Sequence, residues 1–218
     1  KTGADYTGVD LTDAAVELAR KHFALLGLRG DFRTADAENL DFADETFDLV
    51  YSHGVLHHTP DTAGAVREIH RVLKPGGRAM VMLYHRGSYN YRIGIRVLRR
   101  AGAGLLKTEN GIRIVNRLTG EPMESLRDHA QLLHTSTNGY LSSDEFLSQS
   151  TDGAGNPLAR VHSRRAARDL FKDFREVELR AYFLNKRFIP FVGKFLPRSV
   201  ESALASRWGW HLWVYATK

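Results

Sequence analysis

An acidic residue lies where a sheet of alternating strands and helices would bind a nucleotide-like ligand. The short stretch YTGVDL predicts a strand over Tyr6–Leu11, with Asp10 near its carboxyl end. In a doubly wound sheet, an acid at the end of the second strand accepts hydrogen bonds from both hydroxyls of a bound ribose. We favour this role for Asp10; the alternative is that the carboxylate caps the helix that follows.

Histidines at a second strand end form another candidate group. Ser52 and His53 leave the predicted strand Phe47–Tyr51 at its carboxyl end, where ligands bind in open α/β sheets. Because imidazole titrates near neutral pH, His53 or His57 could act as a general base. The alternative, left equally open, is that these rings only shape the pocket. A metal site with His58 is disfavoured, since the sequence fixes no carboxylate nearby.

The elements that position these residues form a strand–helix–strand unit. After the strand Phe47–Tyr51, Thr59 and Pro60 predict the start of a helix, with Thr59 as the cap and Pro60 as the first helical residue. Pro75 ends the helix, and the apolar run Ala79–Tyr84 predicts a second strand. The two strands should therefore be parallel and joined by a right-handed crossover.

The segments FDLVYSHGVLHH and REIHRVLKPGGRAMVMLY, at Phe47–His58 and Arg67–Tyr84, also resemble a known family. They are similar to the central part of class I S-adenosylmethionine-dependent methyltransferases, and most similar to the small-molecule and quinone-type branch. Sequence motifs of the family match over about residues 5–85. Beyond them, only the order of the predicted helices and strands is similar. It implies a Rossmann-like doubly wound α/β sheet, mostly parallel with an antiparallel final strand, and S-adenosyl-L-methionine as cofactor.

The resemblance further implies which residues hold that cofactor. It assigns the adenosine ribose to Asp10 and packing on the adenine to Leu11. The Asp36 carboxylate would accept from the adenine amino group, and the Ala37 main-chain N–H would donate to a ring nitrogen. The alternative for that pair is an ordinary acidic surface loop. The Ser52–His53 corner would face the methionine part of the cofactor and the incoming substrate.

One signature of the family is not found: a first strand that ends in a glycine-rich turn. We therefore expect the chain to start after that strand and its helix, with about 40 residues preceding it in the full protein. In the family the missing strand is central. We therefore expect no hydrogen-bonded ladder between the strands Tyr6–Leu11 and Phe47–Ser52, and an open groove between them. We also expect the isolated chain to bind the cofactor poorly and to be inactive.

We expect three regions in the chain. Residues 1–85 form the partial cofactor-binding core, residues 86–161 a substrate-side insertion, and residues 162–218 a helix and the last two strands. Eight Lys or Arg residues and one acid lie between Arg86 and Leu118. Among them are four arginines at helical spacing: Arg92, Arg96, Arg99 and Arg100. These predict a solvated basic face on a packed helix, or else peripheral contact with an anionic membrane or a lid over the substrate.

Length, cysteine content, net charge and hydropathy indicate which kinds of protein the chain could be. The chain has 218 residues, 43% of them hydrophobic, which suits one domain with a sizeable core. It contains no cysteine and carries a formal net charge of +6, which fits a reducing cytoplasm and could favour anionic partners. No apolar run approaches the roughly 18 residues that span a bilayer.

The predicted function is methyl transfer to a small-molecule or lipid-like acceptor. Nucleic acid is not the expected partner, because Ser-His-Gly-Val follows the predicted strand Phe47–Tyr51 where base-modifying members of the family have Asn/Asp-Pro-Pro-Tyr. A nicotinamide-dependent oxidoreductase would also place an acid at Asp10, but it explains neither Asp36-Ala37 nor the Leu-His-His segment. A third alternative is a non-catalytic interaction protein that retains the fold. The acceptor atom and the oligomeric state stay open.

Overall fold

The computed structural model describes residues 3–135, 144–153, 156–185, 189 and 195–218. The first half contains β1 (Thr7–Asp10), α1 (Asp13–Leu25), β2 (Asp31–Thr34), β3 (Phe47–His53), α2 (Thr62–Val72) and β4 (Leu73–His85). An insertion follows, with a π-helix at Asn90–Arg99 and then α3 (Arg100–Ala103), α4 (Glu109–Thr119), α5 (Met123–Thr135) and α6 (Asp144–Asp152). The remaining elements are β5 (Val161–His162), α7 (Arg164–Leu170), β6 (Glu176–Tyr182), α8 (Arg198–Trp208) and β7 (His211–Thr217).

The strands form two sheets. Strands β1 and β2 pair in parallel, and the larger sheet has the order β3-β4-β7-β6, with β5 paired to β4. Strands β3 and β4 are parallel, whereas β7 is antiparallel to both of its neighbours. This α/β arrangement with an antiparallel final strand is the predicted fold class.

The predicted absence of a ladder between Tyr6–Leu11 and Phe47–Ser52 is confirmed. Strand β1 bonds to β2, and β3 bonds to β4, so among the described residues the two strands belong to different sheets. Leu49 and Tyr51 on β3 are 51% and 60% exposed. Because these two large apolar side chains are exposed, no other part of the described chain packs over β3 at their positions.

Local signals explain most helix ends, with one correction. The Thr12 hydroxyl caps α1 by accepting from the Ala15 N–H at 3.3 Å, and Gly27 follows the helix with φ of 63°. The prediction that Thr59 caps the crossover helix with Pro60 inside it is wrong. The helix begins two residues later, because the Asp61 carboxylate accepts from the Gly64 N–H at 2.9 Å.

At β4 the larger sheet is covered on both faces. Val81 and Leu83 belong to a core cluster with residues of α2, α7 and β7. The alternate residues Met82 and Tyr84 belong to a second cluster, which contains Ile95 of the insertion. Since side chains alternate across a strand, the insertion packs on the face opposite α2.

The basic face predicted for the insertion is split. Arg92 and Arg96 are exposed, but Arg99 lies 3.5 Å from Glu121, and the Arg100 guanidinium sits 5.7 Å from the centre of the Phe146 ring. The four arginines therefore do not share one solvent-facing surface. No helix in the described part of the chain is long and apolar enough to cross a bilayer.

Candidate cofactor and substrate site

Asp10 lies at the carboxyl end of β1 with its side chain exposed. One carboxylate oxygen accepts from the main-chain N–H of Thr12 at 2.9 Å and from its hydroxyl at 3.0 Å. Thr12, rather than Asp10, caps α1. Asp10 thus orients the capping residue and still presents a carboxylate to solvent beyond the strand end. The neighbouring Leu11 is 71% exposed.

Asp36 and Ala37 follow the adjacent parallel strand. Thr34 of β2 is the register partner of Asp10, and the Ala35 N–H donates to the Asp10 carbonyl at 2.9 Å. The Asp36 carboxylate accepts from the Glu38 N–H at 2.9 Å, which closes a tight turn with the acid exposed. The structure therefore brings Asp10 and the Asp36-Ala37 pair to the same edge of the two-stranded sheet.

A charged network that sequence reasoning missed fastens the chain after Asp36. Arg71 on α2 donates to the carbonyls of Leu40 and Phe42 at 2.8 and 2.7 Å. It also pairs with Glu68 at 2.8 Å, and Glu68 accepts from the Leu40 N–H at 2.8 Å. These bonds lower the pKa of Glu68, chiefly through Arg71. The i,i+3 spacing of Glu68 and Arg71 was the available signal, but the loop carbonyls they bind are about 30 residues away in the chain.

Ser52 and His53 end β3, as predicted. The Ser52 hydroxyl is buried without a hydrogen-bond partner among the residues that the structure describes. The His53 side chain is exposed, and its ring centre lies 5.4 Å from that of Trp213 and 5.7 Å from that of His211. Both neighbours are on β7, so aromatic side chains from a distant segment position the His53 ring. The sequence predicted a final strand over His211–Ala216, but not this contact.

His57 lies elsewhere, inside the protein. Its side chain is fully buried, with its ring centre 3.7 Å from that of Tyr84 and 4.3 Å from that of His58. Burial, together with His58, lowers its pKa from 6.5 to about 3, so the ring is neutral at physiological pH. This placement favours the alternative in which His57 shapes the pocket. A role as base stays a prediction.

His58 joins the core to the insertion. Its Nδ1 lies 2.6 Å from the Leu158 carbonyl, and its Nε2 lies 3.5 Å from the Asp152 carboxylate. Tyr84 donates to the other oxygen of that carboxylate at 2.7 Å. Within the described ranges, no three histidine or acidic side chains form a group that could hold a metal ion.

Comparison with known proteins agrees with this geometry. Residues 1–81 match the family model described as a methyltransferase domain. The chain is 46% identical over 74 residues to a phthiotriol/phenolphthiotriol dimycocerosates methyltransferase of Mycobacterium tuberculosis, which covers 34% of this chain and 27% of that protein. It is also 34% identical over 96 residues to a ubiquinone biosynthesis O-methyltransferase of Pseudomonas aeruginosa. That match covers 43% of this chain and 40% of the relative. The matches thus span well under half of these relatives.

The fold comparison extends over nearly the whole chain. A SAM-dependent methyltransferase from Thermotoga maritima, described as a possible histamine N-methyltransferase, aligns with a TM-score of 0.55 at 19% identity. The alignment covers 97% of this chain and 72% of that one. The first 81 residues are thus similar in sequence to a methyltransferase domain, and the chain has the fold of a SAM-dependent methyltransferase.

Proposed function

We propose that the protein transfers the methyl group of S-adenosylmethionine to a small-molecule or lipid-like acceptor. The observation that carries this proposal is the placement of Asp10 and Asp36 after two paired parallel strands, inside the segment that matches the methyltransferase domain. Relatives whose names state lipid-like and quinone-pathway substrates support the acceptor class.

The residues present suit the cofactor chemically. The exposed Asp10 carboxylate can accept from ribose hydroxyls, with Leu11 against the adenine. The Asp36 carboxylate and the Ala37 N–H supply an acceptor and a donor side by side for the adenine edge. The unpartnered Ser52 hydroxyl at the end of β3 offers a further polar contact. When bound, S-adenosylmethionine supplies an electrophilic methyl group on a sulfonium.

The protein's own part in the reaction is to align the acceptor and receive its proton. Of the two histidines predicted for this role, we assign the base to His53, because its ring is exposed at the ligand-binding end of β3. Trp213 and His211 limit the orientations of that ring. His57 is fully buried and neutral, so we assign it to the wall of the site.

We also propose peripheral contact with an anionic lipid surface, now limited to Arg92 and Arg96. Both are exposed on the π-helix next to Ile93 and Val97, which are 36% and 51% exposed. Basic and aliphatic side chains side by side suit the boundary between headgroups and acyl chains.

Mass spectrometry tests the methyl transfer. The full-length protein is incubated with S-adenosylmethionine whose methyl group is deuterated, together with phenolic, quinol and hydroxylated lipid acceptors. We expect a labelled methyl group on one acceptor class and S-adenosylhomocysteine in equal amount. Tight cofactor binding with no labelled product from any class would contradict the enzyme and support the non-catalytic alternative.

A further inference from the structure

A cavity of about 200 Å³ lies beside the carboxyl end of β4. Phe183, immediately after β6, and His211, the first residue of β7, form part of its wall. His211 is the register partner of Tyr84, near the end of β4. The cavity therefore adjoins the edge of the sheet at which open α/β proteins bind ligands. The His211 ring also links it to His53, 5.7 Å away.

The backbone of Phe183 is strained at this wall. Its φ is 63°, in the left-handed region that residues other than glycine rarely adopt because it is strained. The ring is 52% exposed, so burial of the side chain does not offset that strain. The ring lies nearly parallel to His211, with centres 4.8 Å apart, and the Phe183 carbonyl accepts from the Trp210 N–H at 2.8 Å. The stacking on His211 and the hydrogen bond from Trp210 thus hold an aromatic surface at the cavity wall against the backbone strain.

Asn90 provides an independent sign of a ligand. It lines the same cavity at 8% exposure, and its side-chain oxygen has no hydrogen-bond partner among the described residues. A buried carbonyl oxygen without a donor destabilises the folded protein, and a donor on a ligand would remove that cost. Asn90 is also the first residue of the π-helix, a conformation common at functional sites.

Size and charge restrict what the cavity can hold. A dry protein cavity of roughly 150 Å³ is known to bind benzene, so this volume suits about one six-membered ring. Burial and the neighbouring His53 lower the pKa of His211 to about 4, which leaves its ring uncharged at neutral pH. Ile95 and Trp210 add buried apolar surface to the lining. Arg99, Thr151 and Asn185 also line the cavity, so its wall is polar as well as aromatic. This combination favours a flat ring with polar substituents over a bare alkyl chain.

We propose that this cavity is the acceptor subsite and binds a planar ring whose hydroxyl or N–H group donates to Asn90. Phe183, Trp210 and His211 supply the ring contacts, and His53 stands beside the acceptor. The inference rests on the proposed methyl transfer, to which it adds the class of acceptor.

Two variants test the subsite without disturbing the fold. Asn90→Leu replaces the side chain that carries the unpartnered oxygen by an apolar one of similar size, and urea unfolding checks that the variant keeps its fold. Phe183→Asn removes the ring but keeps a residue that tolerates positive φ. Asn110→Leu, at an exposed position of α4, is the matched control. Catechol and trans-cyclohexane-1,2-diol are the probes, titrated by NMR in the absence of cofactor.

Catechol should bind the unaltered protein and the Asn110→Leu variant equally, and both cavity variants about fivefold or more weakly. The non-planar diol should bind the unaltered protein more weakly than catechol does. Equal catechol affinity in all variants, or equal affinity for the two diols, would overturn the inference. A separate titration with S-adenosylhomocysteine distinguishes the two failures. If S-adenosylhomocysteine binds and Asn90→Leu does not change the affinity for catechol, the subsite alone is refuted. If catechol binds but S-adenosylhomocysteine does not, the role of the cavity in methyl transfer is refuted.

Discussion

The Ala35 main-chain N–H donates to the Asp10 carbonyl at 2.9 Å. This bond extends the ladder between β1 and β2 by one step, so the two chains leave the sheet together. As a result Asp10 and Asp36 emerge from adjacent strand ends, although they are 26 positions apart in the sequence. The proposed adenosine contacts depend on this relationship.

If Asp10 accepts from the ribose, Asp10→Ala should weaken cofactor binding by about 1.5–3 kcal/mol, or some tenfold to a hundredfold. The reason is the loss of a charge-assisted hydrogen bond. Calorimetric titration of the full-length protein with S-adenosylhomocysteine measures the effect. Asp169→Ala, an exposed aspartate on α7, is the control and should leave affinity unchanged. Unchanged affinity in a folded Asp10→Ala variant would refute the ribose role.

Arg71→Gln should destabilise the fold by about 1–3 kcal/mol, because the carbonyls of Leu40 and Phe42 lose a charged donor. Since Arg71 is partly exposed, we expect the lower half of that range. Arg67→Gln, which breaks the exposed ion pair with Asp61, should cost less than about 1 kcal/mol. Urea unfolding of both variants measures the difference, and equal losses would count against the network.

Three histidines with lowered pKa values, the buried His57 and the half-buried His162 and His211, should make the protein sensitive to acid. Burial lowers the pKa of His57 to about 3, and those of His162 and His211 to about 4, from 6.5. Below pH 6.5 the unfolded chain therefore binds protons that the folded chain does not. The free energy of unfolding should be at its full value above pH 6.5 and fall between pH 6.5 and about 4, by up to about 1.4 kcal/mol per pH unit for each histidine.

His57→Leu should make that pH dependence shallower by about one proton. His22→Gln, at an exposed position of α1, should leave it unchanged. Urea unfolding from pH 7.5 to pH 4.5 gives the slope for each variant. A His57→Leu slope equal to that of the unaltered protein would show that His57 is not the buried neutral group we describe.

If the exposed part of the π-helix contacts lipid, Arg92→Gln with Arg96→Gln should reduce binding to anionic vesicles. The expected loss is about 1 kcal/mol per arginine at low salt, and it should shrink as salt is raised. Vesicle sedimentation measures it, with Arg165→Gln and Arg175→Gln as a doubly substituted control. Equal binding to neutral and anionic vesicles would leave these arginines as an ordinary solvated surface.

Local signals predicted the parts of the fold that depend on nearby residues. Two capping residues stood open for α1, Thr12 and Asp13, and Thr12 caps it; Ser163 caps α7. The alternation of apolar and polar residues in Glu176–Tyr182 gives a strand. The start of α2 was misplaced because Thr59 and Asp61 are both good caps, and only the hydrogen bond to Gly64 decides between them.

The candidate site was predicted only in part, for a related reason. Asp10, Asp36 and His53 follow strand ends, and a strand end can be recognised in the sequence. The contacts of Arg71 with the Leu40–Phe42 loop and of His53 with Trp213 join distant segments, and no local pattern encodes them. The same holds for Phe183, whose strained backbone becomes visible only in the folded chain.

The central claim is that the Asp10 and Asp36-Ala37 strand ends bind the adenosine part of S-adenosylmethionine. The most direct measurement is a calorimetric titration of the full-length protein with S-adenosylhomocysteine and, separately, with NAD. We expect saturable binding of S-adenosylhomocysteine and no comparable binding of NAD. Asp10→Ala should weaken the binding of S-adenosylhomocysteine tenfold or more, as the roughly 1.5 kcal/mol lower bound for a charge-assisted hydrogen bond requires. Binding of NAD with none of S-adenosylhomocysteine would contradict this claim and favour a nicotinamide-dependent oxidoreductase.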